Sequence, residues 1–222
     1  MRSYNEYCAI AKALDVVGDR WTLLIVRELA MRGKCRYTDL RNGLPGIATN
    51  LLADRLRELE QAGVVAREEA PPPIATTLFS LTERGEQLRP VLDGLMHWGV
   101  PLMTERKPDD EIRSHWLAGA LGAMLIDRQP EQPPITIQLQ IGDEPIVIET
   151  RNGGVETRLG PVAAPDVTLT GEPTPVLGLL LGRLDLAAAK AAGVELSGAP
   201  GAIARLGGDA FDLAGQLGQS TL

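Results

Sequence analysis

Apolar side chains recur every three or four residues along the first part of the chain. From Asp15 to Ala30 this spacing predicts one amphipathic helix, and from Arg36 to Asn42 a short helix with a basic flank. Leu44-Pro45-Gly46 reads as a turn. Ile47 to Ala62 is a second amphipathic helix, closed by Gly63. The pattern then becomes strand-like in Val64–Arg67 and Thr77–Thr82, separated by a tip holding Pro71, Pro72 and Pro73. Helical spacing returns at Leu88, Val91, Leu92, Leu95, Trp98, Leu102 and Met103, after a start at Thr82-Glu83. Glu111 to Asp127 is predicted as a helix with one stripe of Trp116, Ala120 and Met124 and a neighbouring stripe of Leu117, Leu121 and Leu125. Beyond it, Ile135, Ile137, Leu139 and Ile141 alternate with polar residues, as expected of a half-buried strand. Strands follow at Ile146–Thr150, Val155–Leu159 and Val167–Thr170, joined by turns at 142–145 and 152–154. Two helices, Thr174–Leu181 and Leu184–Ala192, a short strand at 194–196 and a last helix ending near Leu206 complete the reading.

Helix, short helix, turn, helix and two-stranded ribbon is the order of a winged helix-turn-helix, which presents one exposed helix to a DNA major groove. The fold class is therefore α+β, in three parts. Residues 1–105 form the winged-helix part, 106–111 a charged linker and 112–222 a second α+β domain. A length of 222 residues suits two small domains.

Charge sharpens the division. The net charge of −7 argues against a nucleic-acid partner, but residues 1–107 sum to +1 and residues 108–222 to −8. The front part also gathers Arg27, Arg32, Lys34, Arg36 and Arg41. The acidic back part is repelled by phosphates, so DNA is expected on the front part alone. No run of about 18 apolar residues suggests a membrane span, no signal sequence opens the chain, and Cys8 and Cys35 are too few for a disulfide framework. A cytoplasmic protein that does not enter membranes is expected.

Cys8, the run LDVVGDRWTLLIVREL, the LPGI turn, LLADRLRELEQAGVV and the SLTERG segment resemble the HxlR family of winged-helix transcription regulators over residues 7–103. The resemblance implies a dimeric repressor or activator without enzymatic activity. VTLTGEPTPVLGLLLGRLDLAAAKAAGVELSG resembles the sterol-carrier-protein-2 domain, which implies an apolar ligand in a hydrophobic tunnel. Leu117, Leu121, Leu125, Leu177, Leu180 and Leu181 are then the candidate lining, with core packing as the alternative. Some relatives in the HxlR family use a cysteine at the position of Cys8 to sense oxidants or electrophiles. The alternative for Cys8 is a small buried hydrophobe, since only Lys12 lies one helical turn away. Cys35 sits between Lys34 and Arg36, an electropositive setting.

At about 100° per residue, Leu52, Leu56 and Leu59 of the recognition helix face inward, and Asn50, Ala53, Asp54, Arg57 and Gln61 face out. Asn50 can contact adenine, Arg57 guanine or a phosphate, and Asp54 a cytosine amine. Thr49 suits a phosphate or a thymine methyl. Arg55, at the edge of the buried face, is expected to pair with a carboxylate. Arg36, Tyr37, Thr38 and Arg41 are expected at the DNA backbone. Ala48, Ala53 and Asp54 depart from the hydroxyls and amide usual in the family. The wing carries Glu68 and Glu69 beside a single cation, Arg67, so a weak contact with the minor groove is expected, through Arg67 alone.

Leu88, Leu92, Leu95 and Trp98 are the expected homodimer contacts; packing against the second domain is the alternative. His97 and His115 are isolated, and no spacing typical of metal ligands, nucleophiles or phosphate-binding loops occurs, so neither a catalytic site, a metal nor a cofactor is expected. Three functions follow as expectations. The first is a DNA-binding regulator modulated by an apolar small molecule. The second is a redox switch through Cys8, and the third a lipid- or metabolite-binding protein whose winged domain makes protein contacts.

Overall fold

A computed structural model describes residues 3–70, 76–99, 102, 107, 109–151 and 153–208. The wing tip at 71–75, Met103, linker positions 106 and 108, and position 152 of the second-domain hairpin lie outside them. Two compact units divide the chain, Met1–Leu95 and Met96–Leu222.

The first unit opens with α1 (Ala9–Val17) and α2 (Thr22–Arg32). The single helix expected over Asp15–Ala30 is thus two helices. Gly18 ends α1, its N–H bonding the Leu14 carbonyl, and Asp19 accepts from the Trp21 N–H in the bend that follows. A Cβ at Gly18 would lie 2.5 Å from the Leu14 oxygen, so the tight turn requires glycine. Next come β1 (Cys35–Arg36), α3 (Tyr37–Asn42), α4 (Thr49–Gln61), β2 (Val65–Glu69) and β3 (Thr77–Leu81). The three strands form an antiparallel sheet in the order β1-β3-β2, with Arg36 and Glu68 on either side of Leu78. Ile25, Leu29, Leu40, Leu44, Leu52 and Leu59 are among the buried side chains of its core.

The end of the wing is fixed by Thr82. Its hydroxyl donates to the Gly63 carbonyl at 2.6 Å and accepts from the Gly85 N–H at 3.1 Å, capping α5 (Glu83–Glu86). A Cβ on Gly85 would come within 2.2 Å of the Val64 carbonyl oxygen, which explains the glycine of the TERG segment. Helix α6 (Arg89–Gly99) follows. Leu88 and Leu92 pack against the unit's own core, while Val91, Leu95 and Trp98 are exposed. The apolar stripe expected as one partner surface is therefore split. Positions 88 and 92 lie one turn apart on one side of the helix, and 91, 95 and 98 on another.

The second unit holds α7 (Ser114–Met124), β4 (Leu125–Asp127), β5 (Thr136–Gln140), β6 (Ile146–Arg151), β7 (Gly154–Leu159) and β8 (Val167–Thr170). These are followed by α8 (Pro173–Leu180), α9 (Leu186–Ala191), β9 (Glu195–Gly198), α10 (Gly201–Arg205) and β10 (Leu206–Gly208). Five strands form one sheet in the order β7-β6-β5-β8-β9, in which only the β5–β8 pair is parallel. The helix expected to run to Asp127 stops at Met124, because Leu125–Asp127 pairs with β10 instead. That small ribbon is locked by a buried ion pair. Arg205 donates from Nε and from an Nη to the two Asp127 oxygens, at 2.7 Å each. The Thr157 hydroxyl donates to the Ala118 carbonyl at 2.8 Å where α7 crosses β7, and Gly122 leaves room for that approach.

Candidate nucleic-acid interface

Helix α4 begins where Leu44-Pro45-Gly46 turns the chain away from α3, with Gly46 at φ 86°. Its apolar period places Leu52, Leu56 and Leu59 in the core, at no more than 3% exposure. Thr49, Asn50, Asp54, Arg57 and Gln61 are exposed, and Ala53 is half-buried. Arg55 lies between the two faces and pairs with Asp19 at 3.3 Å and with Glu58. The inward and outward sorting drawn from the sequence matches this helix except at Ala53, which was expected to face out and is half-buried.

Helix α3 is tied to α4 by Tyr37, whose hydroxyl donates to the Thr49 carbonyl at 2.6 Å. Tyr37 is half-buried, and this bond directs its phenol to the neighbouring helix. Arg36, Thr38 and Arg41 are exposed on the flank of α3. The Asp39 carboxylate accepts from the Arg36 N–H at 3.0 Å and starts the helix.

The basic cluster of the sequence is thinner in space. Arg27 and Arg32 both donate to Glu28, a carboxylate with 0% exposure, at 2.8 and 3.1 Å. Lys34 pairs with Glu68 of β2. Arg57 pairs with Asp54, and Arg67 with Glu69 at 2.9 Å. The Glu69 carboxyl also accepts from the Thr77 hydroxyl, and these two hydrogen bonds hold its pKa below the usual range. Sequence reasoning placed Arg57 and Arg67 on the surface but missed their partners. The three-residue spacing of Asp54 and Arg57 is a signal that would have found one of them. The Lys34–Glu68 pair has no such local signal.

Cys8 is exposed and precedes the first turn of α1, where the backbone N–H groups of Ala11 and Ile10 lower its thiol pKa. It is not the buried small residue allowed for in the sequence. Cys35 is buried, donates to the Gly33 carbonyl, and is pushed up to about 11 by that burial. Its basic neighbours in sequence do not make it a reactive thiol.

In the second unit the six candidate ligand leucines belong to the hydrophobic core. Leu121, Leu125 and Leu180 are buried, and Leu117, Leu177 and Leu181 are partly buried against them. A concavity of about 790 Å³ lies elsewhere, bordered by 109–112, 140–143 and 171–173, and Asp109, Asp110, Glu111, Asp143 and Glu172 make its rim acidic. Among the described residues no cluster of metal-ligating side chains occurs, and no helix is long and apolar enough to cross a membrane.

Residues 16–107 match the family model described as HxlR-like helix-turn-helix. The chain is 37% identical over 97 residues to YvaP of Bacillus subtilis, named an HTH-type transcriptional regulator; the match covers 43% of this chain and 89% of YvaP. It is 34% identical over 96 residues to another HTH-type transcriptional regulator, from Methanothermobacter thermautotrophicus, covering 43% and 72% of the two chains. Among solved structures, the reduced form of the transcriptional regulator YodB from Bacillus subtilis is 30% identical, with 46% and 100% of the two chains covered and a TM-score of 0.40. By its residues 16–107, with their buried leucine face on α4 and their three-stranded wing sheet, the chain belongs to the HxlR-like helix-turn-helix family.

Proposed function

We propose that this chain is a dimeric, cytoplasmic, DNA-binding transcription regulator that places α4 in the major groove and carries out no enzymatic step. The two-sided character of α4 carries the reading: one face is sealed in the core, and Thr49, Asn50, Asp54 and Arg57 are exposed on the other. Asn50 suits a bidentate contact to adenine, and Arg57 a guanine once released from Asp54. Arg36, Thr38 and Arg41 suit the phosphates, which position the protein without reading sequence. Tyr37 contributes by holding α3 against α4. The relatives' names as transcriptional regulators point the same way. The exposed Val91, Leu95 and Trp98 on α6, Ile10 and Leu14 on α1, and Tyr7 just before α1 supply apolar surface for a second copy.

The test is fluorescence anisotropy with duplex DNA from upstream of the chain's own gene, at several salt concentrations. Arg41→Ala should flatten the salt slope by about 1. Asn50→Ala should erase the preference for that DNA over an unrelated duplex. Binding that is equally strong to both duplexes in the wild type would overturn sequence-specific regulation.

The exposed, acidified Cys8 thiol favours a second reading, in which its oxidation or alkylation changes DNA binding. Cys8→Ser should abolish any response of DNA affinity to diamide. For the second unit, the sterol-carrier-protein-2-like reading rests on the order of its elements. Leu117, Leu177 and Leu181, the partly buried members of the six leucines, are where an apolar ligand would first make contact. A thermal shift with fatty acids or sterol-like compounds tests it; no shift across the panel would make the unit an interaction module.

A further inference from the structure

Three cations beside the proposed DNA-reading surface each carry a carboxylate. Arg57 pairs with Asp54 on α4, Lys34 with Glu68 on β2, and Arg67 with Glu69 on the same strand. All six side chains lie between 52% and 68% exposed, so none of these pairs belongs to the core. Glu69 is fixed further by the Thr77 hydroxyl on β3, and Lys34 is reached by Glu68 across the sheet. Each carboxylate occupies, on its cation, the place that a phosphate oxygen would take.

We propose that Asp54, Glu68 and Glu69 are built-in competitors of the DNA backbone that set how strongly this protein binds any duplex. The proposal rests on the DNA-binding reading above and adds a regulation of that same surface. Two effects act in the same direction. A phosphate must displace the carboxylate from its cation, and the displaced carboxylate remains close enough to repel the phosphates. Exposed ion pairs are individually weak, but phosphate contacts add along the backbone. With Lys34, Arg57 and Arg67 held, binding leans on Arg36, Arg41 and base contacts, which lowers the share of affinity that ignores sequence.

The experiment compares wild type with the Glu68→Gln/Glu69→Gln double variant on an unrelated duplex, over a range of salt. Glutamine keeps the size and hydrogen-bonding length of glutamate, and circular dichroism checks the fold. The expected result is about tenfold tighter binding at low salt and a salt slope steeper by about 1–2. A Glu144→Gln/Glu195→Gln variant, with the same change in net charge at exposed positions of the second unit, should keep the wild-type slope. In an Arg67→Ala background, Glu69→Gln should give a smaller gain than it does beside Arg67, because the cation it competes for is gone and only its repulsion of the phosphates is removed. If wild type binds with an affinity that depends on Arg41 and the double variant gains nothing, the carboxylates are not competitors, and the DNA-binding reading stands. An equal gain in the Glu144/Glu195 control would reduce the effect to net charge and overturn the proposal. If neither protein binds any duplex, the DNA-binding reading itself fails, and this proposal with it.

Discussion

Gly43→Ala tests whether the buried Glu28 carboxylate governs the turn that launches α4. Gly43 closes α3 at φ −77° and ψ −5°, a right-handed conformation that alanine adopts without strain. The obstacle is a side chain. A Cβ there would sit 2.1 Å from Glu28 Oε2 and 2.7 Å from its Cδ. A free carboxylate would swing aside at little cost. Glu28 has 0% exposure, its Oε1 accepts from Arg27 at 2.8 and 3.2 Å, and its Oε2 accepts from Arg32 at 3.1 Å. Moving it means losing at least one charge-assisted hydrogen bond, about 1.5–3 kcal/mol. The stiffer unfolded chain returns about 0.4–1 kcal/mol. The net expectation is a loss of about 1–2 kcal/mol in the first unit. Guanidinium unfolding followed by Trp21 fluorescence measures it, with Trp98 and Trp116 replaced by Phe so that one reporter remains. In a Glu28→Ala background the same Gly43→Ala change should be neutral or stabilising, giving a coupling of about 1.5–3 kcal/mol. A Gly43→Ala protein within about 0.5 kcal/mol of its parent, or an additive cycle, would refute the clash.

Arg205→Ala leaves the buried Asp127 carboxylate without its guanidinium, and the second unit should melt at a lower temperature by calorimetry. Arg205 holds Asp127 below the usual carboxylate range, so its stabilisation is complete above pH about 4 and is lost as pH falls through the depressed folded value. Wild type should therefore lose stability on acidification more steeply than Arg205→Ala; parallel pH profiles would count against the pair. Iodoacetamide on the folded protein should modify Cys8 first and Cys35 only after unfolding, as read by peptide mass spectrometry, because one thiol is exposed and acidified and the other buried and raised to about 11. Leu95→Asp with Trp98→Asp should give monomers in sedimentation velocity, whereas Leu88→Asp should unfold the first unit; a surviving dimer in the first variant would remove α6 from the interface.

The sequence alone determined what periodicity encodes. The leucine face of α4, its polar opposite face, the two arms of the wing and the strands β5 to β8 all follow from spacings of 3.6 or 2 within a few residues. The family resemblance was equally legible, since it lies in contiguous motifs. Tertiary structure decided whatever depends on a partner distant in the chain. Apolar spacing runs on through Gly18–Trp21, so the break between α1 and α2 appeared only with the Leu14 and Asp19 hydrogen bonds that turn the chain. Strands β1, β4 and β10 have two or three residues each, too few for any alternation, and exist because β3 or each other pairs with them. A helical stripe gives the angle of a residue but not what lies at that angle, so Leu88 and Leu92 could be told from Leu95 and Trp98 only once the core was in place. The basic cluster was a sum of formal charges. Which carboxylates those cations meet was decided when folding brought Glu68 to Lys34, 34 residues away, and buried Glu28 beside Arg27 and Arg32.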